Sequence, residues 1–186
     1  MELNKIQDWN RTTDAIYKNV MLYVIAGVAA AIFGMIPLVG WLAKACNLAV
    51  VAGYVAFYIR LKDLQLIAEP NDAPAIQKLC LGVLLYIVAL AVKEIPVAGW
   101  IISPIVMIVS FVFMLLGYNA LRQSATFPGK EGMKLLFIAA ILGVVASVFA
   151  LIPLAGTIIA GILGIVNFVL FLLGWKKVAE PITATE

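Results

Sequence analysis

Polar side chains within the apolar part of this 186-residue chain are few, and they do not form a recognisable catalytic or metal-binding set. The chain has no histidine, which removes the commonest metal ligand and the side chain most used for proton transfer near neutral pH. It also lacks a nucleophile and base at a known motif spacing, a glycine-rich phosphate loop and paired carboxylates within an apolar segment. We therefore expect a non-enzymatic protein with no metal and no cofactor.

A set of six polar residues is the main candidate for a functional site. These residues follow three prolines, and at about 100° per residue they fall within about a third of the circumference of the helices that begin there. They are Lys44, Asn47, Ser103, Ser110, Thr157 and Asn167. Because a lipid-facing asparagine is costly, we expect this polar seam to face the interior of a helix bundle. Two uses are open, namely hydrogen bonding between helices and a path for a small solute or ion.

The adjacent charges Lys93 and Glu94 are a second candidate, near the same prolines. One use is to anchor a short helix at the membrane surface, since a lysine side chain can reach the lipid headgroups. The other use is a contact for a partner, or a charged pore mouth, on the outer face of the membrane.

Composition identifies the medium in which the chain folds. Hydrophobic residues make up 65% of it and charged residues 12%, against about 45 to 50% and about 25% in soluble domains. So few charges cannot cover a soluble surface, which excludes a soluble globular protein. The net charge of +3 is too small and too scattered for a nucleic-acid surface. We expect an integral membrane protein that has the lipid bilayer as its partner and binds no nucleic acid.

Six apolar segments are candidates for membrane-spanning helices. A helix rises about 1.5 Å per residue and the hydrocarbon core is about 30 Å thick, so most of these segments can cross it. The shortest, 79–92, has to extend into Lys78 on one side and into Lys93 and Glu94 on the other to do so. The segments are 20–36, 38–59, 79–92, 97–118, 135–152 and 154–175.

Tight corners join these segments in three pairs. Each corner has an isoleucine before a proline and a glycine three residues after it. Proline disfavours helix in the preceding residue and suits the first turn of the next helix, so one helix ends and another begins within a few residues. Pro37, Pro96 and Pro153 are 59 and 57 residues apart and indicate a threefold tandem repeat of parallel hairpins.

The predicted fold is an all-α integral membrane protein, a single domain with six transmembrane helices in three tandem helical-hairpin repeats. Residues 1–19 carry Ile6, Trp9 and Ile16 at helical spacing, which favours an amphipathic helix on the membrane surface over a polar leader. The hairpin repeats are expected at 20–70, 75–128 and 133–181, followed by a short tail at 182–186.

The charges predict an orientation in the membrane. Of 13 lysines and arginines, 11 lie on the side that holds the two termini, and only Lys44 and Lys93 lie near the corners. The positive-inside rule therefore places both termini in the cytoplasm. Acidic residues also interrupt the first 19 positions, which do not look like a cleavable signal peptide.

The layout of residues 20–175 resembles the HdeD-type six-span membrane proteins associated with bacterial acid resistance. The resemblance lies in the glycine and proline pattern at Gly27, Gly34 and Pro37, with Gly53 downstream. The Ile-Pro-x-x-Gly-Trp corners at 36–41 and 95–100 are similar to those of small bacterial proteins of the Tic-type translocon-like group. Both resemblances imply a multi-pass protein of the bacterial inner membrane, and neither supplies an active site to carry over.

Two functions are compatible with these features. The first is a structural or accessory role, related to envelope stress as the HdeD-type resemblance implies, with a second copy or another membrane protein as partner. The second is a passive channel or carrier along the polar seam. Coupled transport is less favoured, because no Asp, Glu, Arg or His lies deep within a predicted span.

Overall fold

The computed structural model describes residues 3–34, 36, 40–93, 95, 98–152 and 155–183, and every regular element in these ranges is an α-helix. Five of the helices, α2 to α6, contain a stretch long and apolar enough to cross a membrane. The chain is therefore an all-α protein of the membrane type. The helices are α1 (Leu3–Gly34), α2 (Gly40–Ile67), α3 (Ala73–Lys93), α4 (Ala98–Gln123), α5 (Lys130–Phe149) and α6 (Ala155–Val178).

The isoleucines that precede the corner prolines have similar backbone geometry. Ile36, Ile95 and Ile152 each donate a backbone hydrogen bond to the carbonyl three residues earlier, over 3.2, 2.9 and 2.9 Å. Such bonds tighten the last turn of a helix and satisfy carbonyls that would otherwise lack partners. The prolines themselves lie outside the described residues.

The corner glycines are required by close approach between paired helices. A β-carbon on Gly99 would collide with the carbonyl oxygen of Val92, and one on Gly156 would collide with the carbonyl oxygen of Phe149. Any side chain at either position would force the two paired helices apart. Glycine is therefore the residue that allows the second helix to start against the last turn of the first.

The six helices form a ring in chain order. Each helix packs against the next, and α6 packs against α1. Contact is most extensive within the pairs α1–α2, α3–α4 and α5–α6, and least extensive between α1 and α6. Within the described ranges the backbones of α2, α4 and α6 do not contact one another. Side chains therefore decide whether the middle of the ring is filled.

The terminus-side half, which contains the start of α1, the segment after α6 as far as residue 183, and the connections 68–72 and 124–129, holds most of the buried core. Its largest side chains are almost wholly inaccessible, among them Trp9, Phe57, Tyr118 and Trp175. Phe57 on α2 reaches Trp175 on α6, with ring centroids 5.3 Å apart in an edge-to-face arrangement. Aromatic side chains thus bridge helices whose backbones stay apart.

Polar contacts also tie the terminus-side half together. The Asn10 side chain exchanges two hydrogen bonds with the backbone of Ile182, over 3.2 and 3.0 Å, and so links α1 to the segment after α6. The Thr126 hydroxyl donates to the buried carboxylate of Asp72 over 2.8 Å, linking the two long connections. The three helix pairs are therefore fastened to one another at this end.

The corner-side half, which contains the three corners, is more open. Leu48 on α2 is 73% exposed, and Ile158 and Ile165 on α6 are 68% and 67% exposed. In a bilayer these side chains would contact lipid, so their exposure is not unfavourable. The corner-side half therefore has fewer buried side chains, although the helices of a pair remain in contact at Gly99 and Gly156.

The amino-terminal helix does not end where the sequence predicted. Helix α1 continues without interruption from Leu3 to Gly34, so residues 3–19 are not a separate element. Ile6, Trp9 and Ile16 are buried, and the Trp9 ring packs edge-to-face on Phe127 at a centroid distance of 5.1 Å. Their helical spacing reflects a stripe that packs into the bundle, whereas the prediction placed it on the membrane surface.

Candidate functional site

A cavity of about 230 Å³ lies between α2, α3, α4, α5 and α6. Its walls are mainly aromatic, aliphatic and sulfur-containing side chains, with Ser147 and Asn167 as polar exceptions other than the tyrosines. The lining residues are Tyr54, Tyr86, Pro104, Met107, Phe111, Met114, Gly143, Ala146, Ser147, Ala150, Ala160, Gly164, Asn167, Phe168 and Phe171. An apolar cavity with few polar groups is the usual form of a small-molecule site.

The floor of the cavity is a series of touching aromatic rings. Tyr86 contacts Phe111 at a centroid distance of 5.6 Å and Tyr54 at 4.7 Å. Tyr54 in turn stacks on Tyr23 of α1 at 4.4 Å, and Tyr23 contacts Phe171 of α6 at 6.2 Å. These rings separate the cavity from the packed terminus-side half.

The cavity exists because the inner stripe of α6 changes in side-chain size. Towards the terminus-side half this stripe carries Phe171 and Trp175, which fill the middle of the ring. Towards the corners it carries Ala160 and Gly164, which line the cavity instead. No neighbouring atom lies within 4 Å of the position that a β-carbon on Gly164 would take. Small residues therefore leave space where larger ones close it.

Two members of the polar seam serve helix packing. The Ser103 hydroxyl donates to the carbonyl of Ala89 over 2.9 Å, and the Ser110 hydroxyl donates to the carbonyl of Gly82 over 2.7 Å. Both serines are buried on α4, and both acceptors lie on α3. The sequence left two uses of the seam open. These two serines serve hydrogen bonding between helices.

The other seam residues lie in different surroundings. Asn167 lines the cavity and is half-buried. Lys44 and Asn47 are exposed on α2. Thr157 is helical, but its side chain lies outside the described part of the structure. The six residues therefore do not share one environment, because α2, α4 and α6 face different neighbours.

The second candidate pair is described only in part. Lys93 is exposed and is the last residue of α3. Glu94 lies outside the described residues. Helix α3 begins at Ala73, ahead of Lys78, and ends at Lys93, so the short third segment is lengthened at both ends as the sequence predicted.

Sequence reasoning did not identify the aromatic residues that define the cavity. Tyr54 and Tyr86 read as ordinary apolar-segment residues, although each lies seven positions from a polar residue on its own helix, Asn47 and Lys93. Seven positions are close to two helical turns, so each pair lies on one stripe. That spacing is the signal that could have joined the aromatic and polar residues before the structure.

The site has no obvious reactive chemistry. The Ser147 hydroxyl is buried and donates to the Gly143 carbonyl of its own helix over 2.8 Å. Among the described residues there is no cluster of three Asp, Glu or Cys side chains that could hold a metal ion. The geometry of the cavity suits non-covalent binding of an apolar molecule.

No family model, curated protein or solved structure matches this chain.

Proposed function

We propose that this chain is a non-enzymatic membrane protein that binds an apolar molecule in the cavity lined by α2, α3, α4, α5 and α6. The observation that carries the proposal is the cavity itself, about 230 Å³ in volume with an aromatic floor. An engineered apolar cavity of about 150 Å³ already takes up benzene, so this one is large enough for a ring or a segment of hydrocarbon chain.

The proposed setting is the bacterial inner membrane, with six spans arranged as three hairpin repeats and both termini in the cytoplasm. The 32 residues of α1 correspond to about 48 Å of helix, which is more than the hydrocarbon core requires. This length supports α1 as the sixth span. Only two basic residues, Lys44 and Lys93, lie on the corner side, whereas 11 lie on the other side. This difference supports an orientation with both termini in the cytoplasm. The cavity would then open towards the outer leaflet.

Binding is favoured over conduction because of the packing below the cavity. The aromatic floor and the buried Tyr118 and Trp175 fill the middle of the terminus-side half. A passive channel along the polar seam would need a wet path through that region, and the seam serines Ser103 and Ser110 are already engaged by α3. A molecule that enters from the corner side needs no such path.

We propose that ligand binding serves an accessory role in the membrane. Ligand occupancy would stiffen the more open corner-side half, where α2 and α6 present apolar side chains to lipid or to a neighbouring protein. A second copy or another membrane protein could then be recognised according to occupancy. The HdeD-type resemblance would place this activity in envelope stress.

The experiment uses the full chain in lipid nanodiscs with a photoreactive long-chain alkane. We expect adducts on Phe111 and Phe171 inside the cavity, in addition to those on lipid-facing residues. Gly164→Leu should remove the cavity adducts, because its side chain would occupy free space. Gly161→Leu is the matched control, since Gly161 is exposed on the same helix, has equal free space and does not line the cavity.

Circular dichroism and size-exclusion chromatography would check that both variants stay folded. Cavity adducts that persist in Gly164→Leu at the level of Gly161→Leu would overturn the proposal. Adducts confined to lipid-facing residues in the natural chain would do the same.

A further inference from the structure

The cavity lies among helices that a bilayer would surround with saturated hydrocarbon chains. An alkyl chain gains little by moving from those chains into another apolar place, because neither place contains water. An alkyl chain can therefore fill the cavity, but the cavity has no means of selecting it. A molecule that is selected has to use groups that the cavity offers and lipid chains lack.

Aromatic rings are the first of these groups. Five rings from four helices line the cavity, namely those of Tyr54, Tyr86, Phe111, Phe168 and Phe171. An aromatic occupant can meet such rings edge to face or in an offset stack, and each such pair adds to the gain from apolar contact. A saturated chain makes no interaction of this kind. The rings therefore favour an aromatic occupant over an alkyl chain.

Two methionines make the α4 wall suitable for the same kind of occupant. Met107 and Met114 both line the cavity. Thioether sulfur makes favourable contacts with the edges of aromatic rings, and the unbranched side chain adapts to irregular shapes. A rigid, flat molecule also loses less conformational freedom on binding than an alkyl chain does.

Asn167 is the second group that lipid chains lack. It lies on α6 between Gly164 and Phe171, which also line the cavity. Among the described residues its side chain makes no hydrogen bond, whereas the Ser147 hydroxyl already donates to its own helix. An unpaired amide at membrane depth is costly, and a lipid chain cannot relieve that cost. The amide therefore favours an occupant with a hydrogen-bonding group.

The lining also limits the charge and the size of the occupant. None of the described lining residues is charged, so an ion would lose its hydration without gaining a partner. The volume of about 230 Å³ is half as large again as the cavity of about 150 Å³ that takes up benzene. A neutral molecule of two fused rings fits these limits.

We propose that the cavity selects a neutral aromatic molecule with a hydroxyl or carbonyl group on its ring. The ring would lie among the aromatic and methionine side chains, and its oxygen would meet the Asn167 amide. This inference rests on the proposed function and adds the chemistry of the ligand. A plain hydrocarbon would leave the amide unpaired.

The test compares three probes of similar shape, each with the same small diazirine, on the full chain in phosphatidylcholine nanodiscs at pH 7. The probes are 2-naphthol, naphthalene and the saturated decahydro-2-naphthol, and the phenolic hydroxyl stays protonated because its pKa is about 10. Nanodiscs without protein would give the partition of each probe into lipid, so that labelling is compared at equal concentration in the membrane.

We expect 2-naphthol to label Phe111 and Phe171 at about fivefold lower membrane concentration than the saturated alcohol, the factor expected of one aromatic pair. It should label them at about threefold lower concentration than naphthalene, the factor expected of one hydrogen bond between groups in a membrane.

Asn167→Leu should abolish the difference between 2-naphthol and naphthalene and leave labelling by naphthalene unchanged. The matched control is Asn47→Leu, because Asn47 is an exposed amide on α2 that does not line the cavity. Phe168→Leu should reduce the preference for 2-naphthol over the saturated alcohol. Its matched control is Phe113→Leu, since Phe113 is also half-buried but does not line the cavity. Circular dichroism would check that all four variants stay folded.

The outcomes separate this inference from the proposed function. If neither the long-chain alkane nor any of these probes labels Phe111 or Phe171, both fail. If the three probes label these residues equally, the cavity binds apolar molecules without selecting a ring or a hydroxyl, and only this inference is overturned. An effect of Asn167→Leu no larger than that of Asn47→Leu would also overturn it, because the amide would then have no part in recognition.

Discussion

The two halves of the bundle are built from the same helices and pack in opposite ways. In the terminus-side half, α6 carries Trp175, which is wholly buried against Phe57. In the corner-side half, the same helix carries Ile158, which is 68% exposed, and Gly164, which has empty space beside it. Most charged residues lie in the terminus-side half, but the interior of both halves is mainly apolar, so hydrophobicity does not explain the difference in packing.

The glycines show what does distinguish them. A β-carbon on Gly132 would lie 2.5 Å from the carbonyl oxygen of Gly174, so these residues allow α5 and α6 to touch in the terminus-side half. Gly161 and Gly164 on α6 have no neighbouring atom within 4 Å of a β-carbon position. Within a bilayer, where apolar surface gains little from leaving lipid, such differences in fit decide where helices associate. Gly156, at the corner end of α6, again fits closely against Phe149, so the cavity reflects missing contact at Gly164 between two closely packed ends of the helix.

The largest effect on stability should come from removing a large buried side chain from the terminus-side half. We expect Trp175→Ala to lower the free energy of unfolding by about 3 kcal/mol, at the low end for tryptophan because lipid replaces part of the lost contact. The measurement is reversible unfolding in mixed detergent micelles. Trp41→Ala should change stability by less than about 0.5 kcal/mol, because Trp41 is 68% exposed on α2. Equal losses would show that the halves do not differ in packing.

A smaller effect should come from adding one methyl group. Gly132→Ala should cost about 2 kcal/mol, because the new β-carbon meets the Gly174 carbonyl and the Val178 side chain. Gly161→Ala adds the same group in open space and should leave the unfolding midpoint unchanged or raise it slightly, since alanine favours helix. A Gly132→Ala protein as stable as Gly161→Ala would contradict the close packing of α5 on α6.

The smallest effect should come from the interhelical hydrogen bonds. Ser110→Ala removes the donor to the Gly82 carbonyl and should cost about 0.6 kcal/mol, the average for such bonds in membrane proteins. The same unfolding assay should show the change without a change in ligand binding, because Ser110 does not line the cavity. A loss of ligand binding with unchanged stability would return Ser110 to the candidate site.

Several local features of the fold could be predicted from short stretches of sequence. Helix breaks near residues 37, 96 and 153 follow from proline, and the close start of the next helix follows from Gly99 and Gly156. The extension of α3 from its apolar segment to Lys93 also followed from length alone. The boundary at residue 19 was wrong because an apolar stripe packs as well on helices as on a membrane surface.

The candidate site was predictable only in part. The polar residues were conspicuous, and Asn167 does line the cavity. Placing Ser110 on the same stripe assumed that α4 and α6 turn equivalent faces to the interior, but Ser110 faces α3. How far each helix rotates about its own axis depends on the side chains of its neighbours. Helical spacing within one segment cannot supply that information.

The sequence by itself determined that this chain is of the membrane type, that it is helical, and where its helices break. Those properties depend on hydropathy and on proline and glycine stereochemistry, which act over a few residues. Only the tertiary structure decided that aromatic side chains fill the middle of the terminus-side half, that the corner-side half contains a cavity, and that Tyr54, Tyr86 and Asn167 line it. These outcomes depend on the sizes of side chains that meet from five different helices, and such side chains are far apart in the chain.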